Sequence, residues 1–242
     1  ALMARPTAIL YCEIRRSLDH WIRTRALAEA LHPSHAITVV LTAERADVSV
    51  PEGVDLITFR EGTHYPCNTG EGEPRLAPGG QLIALLDRIR PSVVVVEHFP
   101  FGREKSALYM VPFLQAARRL PNRPLVVTSL RDIGERPLPD QDTFDRRVVL
   151  GVNRLLDAVL VHADPRVMTL GDTFALADQI AVPVHPTGYL APDAPPAATR
   201  DASRAPRIVV AGGDGRLAMR VFRAALAAQR DTGAVRPKAD DD

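Results

Sequence analysis

The stretch Val93-Val94-Val95-Val96-Glu97-His98-Phe99-Pro100-Phe101-Gly102-Arg103 decides the fold of this chain. Four consecutive valines predict a strand that is buried on both faces, the kind found inside parallel sheets. In open α/β sheets, ligands bind in the crevice beyond the carboxyl ends of the strands. We therefore expect Glu97 and His98, which directly follow the valines, to lie where such a fold places its chemistry.

Strand and helix patterns alternate along the rest of the first 190 residues. Further apolar strands are predicted at Thr7 to Cys12, Ile37 to Thr42, Val54 to Phe59, Pro124 to Leu130 and Asp157 to Val161. Helical spacing is found from Trp21 to Leu31, Gln81 to Arg90, Ala107 to Leu120 and Asp142 to Leu156, with Arg23, Arg25 and Glu29 on the polar side of the first helix. Residues 60–80 are rich in Gly and Pro and predict a long loop. The alternation predicts an α/β fold with a doubly wound, Rossmann-like parallel sheet.

A second, shorter domain is predicted after residue 206. Residues 191–206 are dominated by Ala, Pro and charged side chains, which is typical of a linker. Beyond this linker, Arg207 to Ala211 predicts a strand and Leu217 to Gln229 a helix. The prediction is therefore an N-terminal domain over 1–190 and one βα unit of a second domain over 207–242.

Composition excludes several classes of protein. With 30 Lys and Arg against 29 Asp and Glu, the net charge of +1 does not indicate a nucleic-acid partner. No apolar run approaches the length of a membrane-spanning helix, and two cysteines without CxxC spacing favour a cytoplasmic chain without a disulfide framework or a sulfur-ligated metal. The chain lacks GxSxG, HExxH and P-loop lysine motifs, so serine hydrolases, zincins and P-loop NTPases are not indicated. The oligomeric state stays open.

Polar residues follow three predicted strands. Thr128-Ser129-Leu130-Arg131-Asp132 and His162-Ala163-Asp164 end two strands in the way that Glu97 and His98 end a third. Adjacent parallel strands would bring these groups to one crevice, lined with donors suited to hydroxyls and phosphates. A purely structural role remains open for both residues: Glu97 as a helix cap or as the partner of an ion pair, and His98 as a packed ring.

Two helix starts are candidates for phosphate binding or base catalysis. Arg15-Arg16-Ser17-Leu18-Asp19-His20 leads into the first helix, whose amino end favours anions, although Asp19 is also an ordinary N-cap. His20 is either a base or a solvated residue. The loop Gly212-Gly213-Asp214-Gly215 is either a tight turn or a cradle for a diphosphate on backbone amides.

Four stretches together resemble a known family: Tyr11 to Leu31, Glu97 to Arg103, Ser129-Leu130-Arg131-Asp132-Ile133, and Asp157 to Asp164 with Pro165-Arg166. They resemble predicted bacterial glycosyltransferases of the GT-B type. That group is similar to family 28 and to the UDP-N-acetylglucosamine transferase of lipid-linked peptidoglycan synthesis. The resemblance implies two Rossmann-like domains and transfer of a sugar from a nucleotide-sugar donor to an acceptor in the cleft between them. It implies no required metal and no cofactor besides the donor substrate.

The family's motifs map onto this chain residue by residue. Its Gly-x-Gly-His loop falls on Ser17-Leu18-Asp19-His20, which keeps the histidine and replaces both glycines. The resemblance implies His20 or Glu97 as the base and Gly212, Gly213 and Gly215 as diphosphate ligands. It implies substrate-binding roles for the following residues: His98, Arg103, Arg131, Asp132 and His162.

The resemblance also implies a truncated donor domain, because the second glycine-rich loop and the acidic residue of a nucleotide-sugar site have no counterpart before Asp242. A non-catalytic module that binds a sugar or nucleotide is the alternative. A nucleotide-sugar 2-epimerase of the same architecture is a less favoured one.

Overall fold

The computed structural model of the protein describes residues 5–14, 18–43, 48–59, 78–102, 106–131, 140–190, 208–212 and 216–232. Residues 5–14 and 19–190 of this set belong to one compact unit, and residue 18 and the described residues after 207 belong to another. The predicted linker, 191–206, lies outside the described residues.

The first unit is built on a parallel sheet of seven strands. These are β1 (Thr7–Ile14), β2 (Ala36–Ala43), β3 (Asp55–Phe59), β4 (Val93–Glu97), β5 (Leu125–Arg131), β6 (Ala158–His162) and β7 (Val184–Pro186). Their order in the sheet is β3-β2-β1-β4-β5-β6-β7, and every pair is parallel. This is the strand order of a Rossmann-like, doubly wound sheet. The predicted α/β fold class is confirmed.

Within the described residues, four α-helices connect the strands: α1 (Asp19–Leu31), α2 (Pro78–Ile89), α3 (Ala107–Arg119) and α4 (Gln141–Leu155). Two short 3-10 helices, Leu170–Asp172 and Ala177–Gln179, lie between β6 and β7. The core lies in two clusters, one on each face of the sheet. Val94 and Val96 face the cluster that α2, α3 and α4 cover, whereas Val95 faces the cluster that contains Trp21 of α1. Because successive side chains of a strand point to opposite faces and both faces are covered, all four valines are favourable there. Glu97 continues the alternation on the α1 face.

Some local expectations were wrong. Helix α2 begins at Pro78 and not at Gln81, since proline is well suited to a first helical position. Strand β7 was not predicted, because three exposed residues carry no apolar period. Residues 208–211 of the strand predicted at Arg207 to Ala211 have no strand pairing among the described residues. Of the loop predicted over 60–80, residues 60–77 lie outside the described residues and 78–80 belong to α2.

The second unit contains α5 (Arg216–Thr232), which includes the predicted helix from Leu217 to Gln229. Gly212 packs tightly against this helix: a Cβ atom at position 212 would lie 3.0 Å from the Cβ of Ala218. Glycine is therefore favoured here by close packing between the chain and the helix. Among the helices of the described residues, none combines the length and the apolar character that crossing a bilayer requires.

Candidate functional site

The candidate site lies at the point where the sheet changes winding direction. Strand β1 lies between β2 and β4, so the connections that leave β1 and β4 cover opposite faces and leave a crevice at the carboxyl ends of these strands. The connection after β1 leads into α1, which carries His20 in its first turn. Strand β4 ends at Glu97. The sheet topology thus brings together two residues that are 77 positions apart.

Glu97 is held by two side chains of α1. Its Oε2 atom lies 2.7 Å from Nδ1 of His20, and its Oε1 atom lies 2.7 Å from Nη2 of Arg23. The Glu97 side chain is 2% exposed, and those of His20 and Arg23 are 12% and 13% exposed. Since His20 and Arg23 are three positions apart on one helix, both can face the same carboxylate.

Glu97 is ionised despite its burial. Burial favours the neutral carboxyl, but the hydrogen bonds from His20 and Arg23 and the nearby positive charge outweigh it and lower the pKa of Glu97 to about 2. An ionised carboxylate only accepts hydrogen bonds, so Nδ1 of His20 is the donor in this pair. In the neutral ring, the lone pair that can take up a proton is then on Nε2.

His98 lies directly beside this pair. The ring centroids of His20 and His98 are 5.8 Å apart with an edge-to-face tilt, and His98 is 1% exposed. Its φ angle of 64° places the backbone in the left-handed region, where histidine is more common than most residues. Its backbone N–H donates to the carbonyl of Ser129 over 2.8 Å. The chain therefore turns sharply after Glu97 while it stays bonded to β5.

A second buried histidine lies on the same face of the sheet. His162, at the end of β6, is 3% exposed and contacts Ser129 Oγ through Nε2 at 2.8 Å and Thr187 Oγ1 through Nδ1 at 2.7 Å. Burial lowers the pKa of His162 to about 4, and the charge of Arg23 acts in the same direction. The Thr187 hydroxyl donates its hydrogen to the Gly188 carbonyl, so its oxygen accepts from Nδ1–H of His162. Nε2 of His162 then carries no hydrogen, and the Ser129 hydroxyl donates to it. His162 is thus neutral at pH 7 and fully engaged with two hydroxyls.

Arg131 ends β5, beside His162 in the register of β5 and β6. Its Nη1 atom lies 3.6 Å from the Asp19 carboxylate at the start of α1, and both side chains are about one-third exposed, at 33% and 39%. This ion pair forms the solvent-facing part of the site. A pair of this kind contributes little to stability, roughly 0–1 kcal/mol, and its guanidinium is accessible to an anionic ligand.

The fold therefore brings together five of the predicted site residues: His20, Glu97, His98, Arg131 and His162. Arg103, Asp132, Gly213 and Gly215 lie outside the described residues, and Gly212 belongs to the second unit. Arg23 was not among the predicted site residues, because it was predicted on the polar side of α1. Its position three residues after His20 is the feature of the sequence that could have indicated a role in the site. Thr187 was also missed, since it follows the unpredicted β7.

A separate polar network lies on the other face of the sheet. Tyr11 contacts Thr42 Oγ1 at 3.1 Å and the hydroxyl of Tyr109 at 3.3 Å, and Tyr109 donates to Glu13 over 3.3 Å. Burial raises the pKa of Tyr11 well above its ordinary value, and the charges of Tyr109 and Glu13 add to the shift. Among the described residues, no group of three His, Cys, Asp or Glu side chains has the arrangement of a metal site.

Comparisons with known proteins give only distant similarity. No protein-family model matches the chain, and no curated protein matches it. A UGT2 of Phytolacca americana, solved with UDP-2-fluoro-glucose and pterostilbene, is 13% identical over 80% of this chain and 56% of its own, with a TM-score of 0.47. A UDP-glucosyltransferase of Polygonum tinctorium that glucosylates indoxyl is 14% identical over 78% of this chain and 54% of its own, also with a TM-score of 0.47.

A putative epimerase of Burkholderia cenocepacia is 13% identical over 65% of this chain and 54% of its own, with a TM-score of 0.37. This chain thus spans little more than half the length of each of these three structures. The fold assignment rests on the strand order and register of the chain itself.

Proposed function

We propose that this chain carries the acceptor side of a glycosyltransferase, in which His20 is the general base and Glu97 orients it. The observation that carries the proposal is the 2.7 Å contact between His20 Nδ1 and Glu97 Oε2 at the switch point of the sheet. A carboxylate that accepts from Nδ1–H fixes the tautomer of the ring, so that Nε2 is the basic nitrogen.

The reaction is displacement at the anomeric carbon of a nucleotide sugar. The acceptor oxygen forms a bond to that carbon, the bond from the carbon to the diphosphate oxygen breaks, and the acceptor proton passes to Nε2 of His20. The electron pair of the broken bond leaves with the nucleoside diphosphate. The imidazolium that forms is stabilised by Glu97, which is already ionised. Of the two candidate bases, Glu97 is the less suitable, because a buried carboxylate with a pKa of about 2 is a weak base.

The remaining residues of the cluster have supporting roles in the proposal. Arg131, partly exposed beside Asp19, would bind an acceptor hydroxyl or a phosphate. His98 and His162 are buried and would shape the floor of the acceptor site. Arg103 and Asp132 remain candidates for acceptor binding. Gly212, Gly213 and Gly215 remain candidates for holding the leaving diphosphate. The donor is expected to need no metal.

Acceptors of different acidity provide the test. The chain would be incubated with UDP-, GDP- and dTDP-sugars and with paired acceptors, an aliphatic alcohol and p-nitrophenol, and nucleoside diphosphate release would be measured. General bases typically contribute about 10²–10⁴-fold, so His20→Ala should lose a factor of this size with the alcohol. The loss should be much smaller with p-nitrophenol, which ionises without help at pH 8.

Two further variants sharpen the test. Glu97→Gln keeps a hydrogen-bond acceptor for His20 but removes the charge, so transfer to the alcohol should fall while donor affinity by calorimetry stays constant. Arg25→Gln, on the same helix and away from the cluster, is the matched control. Equal turnover of His20→Ala and wild type on the alcohol would refute the assignment of the base. Donor binding without turnover in the wild-type chain would instead support the non-catalytic binding module.

A further inference from the structure

The groove between α3 and α4 is a second concave site, separate from the His20–Glu97 cluster. Its volume is about 830 Å³, and its floor is formed by Phe99, Phe144, Val148 and Leu155. These four side chains belong to the core cluster on the face of the sheet opposite to α1. A cavity of this size, with a mainly apolar lining, is in the range of small-molecule sites, roughly 300–1,000 Å³.

Within the described part of the chain, the charged residues of the lining all have one sign. They are Arg118, Arg119, Arg147 and Arg154, and no acidic side chain of that part lines the groove. Arg118 is engaged by Asp157 at 2.9 Å. Arg119 and Arg154 are exposed, and neither forms an ion pair within the part of the chain that the structure describes. The groove therefore offers at least two guanidinium groups next to apolar surface.

Three of the four lining arginines lie at one end of the groove. Helices α3 and α4 each connect parallel strands of one sheet, so they run in the same direction and their carboxyl ends meet at the same end of the unit. Arg118 and Arg119 lie in the last turn of α3, and Arg154 lies in the last turn of α4. Ala107 and Phe144, in the first turns of the two helices, line the other end, and Arg147 lies one turn after Phe144. Basic residues in the last turn of a helix are favoured by the helix dipole, but this effect does not explain the open apolar floor between α3 and α4.

Two further details support a binding groove. Gly151 lets the chain approach closely, because a Cβ atom there would lie 3.3 Å from Cγ of Pro100. Leu150, on the rim, leaves 50% of its surface exposed. Pro100 can therefore lie against α4 as part of the floor, and an apolar rim residue is left for a ligand to cover.

We propose that this groove binds a soluble amphiphilic anion, with an extended apolar body along the floor and a phosphate or carboxylate head between Arg119 and Arg154. Three of the four lining arginines lie at one end of an apolar floor, and this distribution matches the polarity of such a ligand. The proposal is independent of the glycosyl-transfer assignment, since none of its residues belongs to the His20–Glu97 cluster.

Calorimetry with n-decyl phosphate, kept below its critical micelle concentration, tests the proposal on the full chain. Inorganic phosphate and n-decyl maltoside are the parallel probes, which supply the head and the tail separately. We expect saturable binding of decyl phosphate and at least tenfold weaker binding of the other two. The double variant Arg119→Gln/Arg154→Gln should weaken decyl phosphate binding about tenfold or more, because charge-assisted hydrogen bonds are lost.

Matched variants control for folding and for general surface charge. Arg146→Gln changes a neighbouring exposed arginine of α4 that does not line the groove, and should bind like wild type. Leu150→Asp, on the rim, should abolish binding, whereas Leu108→Asp, 86% exposed on α3 and outside the lining, should not. Equal affinity for decyl phosphate and decyl maltoside, no binding of decyl phosphate by the wild type, or wild-type affinity in the double variant would each overturn the proposal.

Discussion

Arg23→Gln tests whether the guanidinium of α1 keeps Glu97 ionised. A carboxyl with a pKa of about 2 in the folded chain and about 4.5 in the unfolded chain contributes about 3 kcal/mol to stability at neutral pH. Arg23 supplies one of the two hydrogen bonds that cause this shift, at 2.7 Å from Oε1. Its removal leaves a buried charge with one partner lost, so we expect the free energy of unfolding at pH 7 to fall by about 2 kcal/mol.

The pH dependence identifies the cause of the loss. Because the folded-state pKa of Glu97 is depressed, its contribution is complete above pH 4.5 and disappears as the pH falls through about 2. Losing Arg23 raises the pKa of Glu97 toward its ordinary value. The difference in unfolding free energy between wild type and Arg23→Gln should therefore shrink between pH 4.5 and 2.

Urea unfolding at pH 7, 4.5, 3.5 and 2.5, followed by circular dichroism, measures this difference. Arg25→Gln is the matched control: the Arg25–Glu29 pair has the same chemistry at 2.9 Å, but its side chains are 46% and 47% exposed. An exposed helix pair of this kind contributes about 0.3–0.5 kcal/mol. The reasoning is refuted if Arg23→Gln costs no more than Arg25→Gln. It is also refuted if the loss is the same at every pH, which would assign it to packing of the arginine stem.

Three further substitutions test other parts of the structure. His162→Gln should remove the loss of stability between pH 6.5 and about 4, because over this range the histidine takes up a proton in the unfolded chain but stays neutral in the folded one. In urea unfolding, the same dependence of the free energy of unfolding on pH as in the wild type would contradict this. Tyr11→Phe should remove one tyrosine from the alkaline end of an ultraviolet titration, since burial raises the pKa of Tyr11 well above its ordinary value; an unchanged alkaline end of the curve would argue against it. Gly53→Ala should cost about 1 kcal/mol in thermal unfolding because φ is +78° there, whereas Gly171→Ala, where φ is not positive, should cost less.

The fold was largely predictable, because β-branched runs and helical spacing alternate clearly along the first unit. The valines of β4 are a good example: their burial on both faces follows from the two core clusters that lie on opposite sides of the sheet. Strand β7 could not be predicted, since Val184-His185-Pro186 is short and exposed. Its position is set by pairing with β6, a tertiary contact that leaves no periodic signal in the sequence.

The candidate site was predictable in its residue types but not in its pairings. Glu97, Arg131 and His162 end adjacent strands, and the rule for parallel sheets places such ends together. Which side chain of α1 meets Glu97 depends on the rotation of the helix, and this depends on its weak apolar pattern. Only Trp21, Thr24 and Ala28 of α1 are buried among its described residues. That rotation turns Arg23 from the expected polar side toward the sheet.

The two contacts of the Glu97 carboxylate, with Arg23 and with His20, have different roles, one in stability and one in orientation. Arg23 carries a permanent charge, so its bond to Oε1 does not depend on pH near neutrality, and together with His20 it keeps the carboxylate ionised. Oε2 is bonded to Nδ1 of His20, which also lies 3.1 Å from Nη2 of the same arginine. With a single partner, the same buried carboxylate would have to be stabilised by the histidine alone, and its charge would vary with the state of the ring. The arrangement therefore keeps a fixed negative charge beside an imidazole that is able to take up and release a proton, which is the requirement that the proposed transfer places on this site.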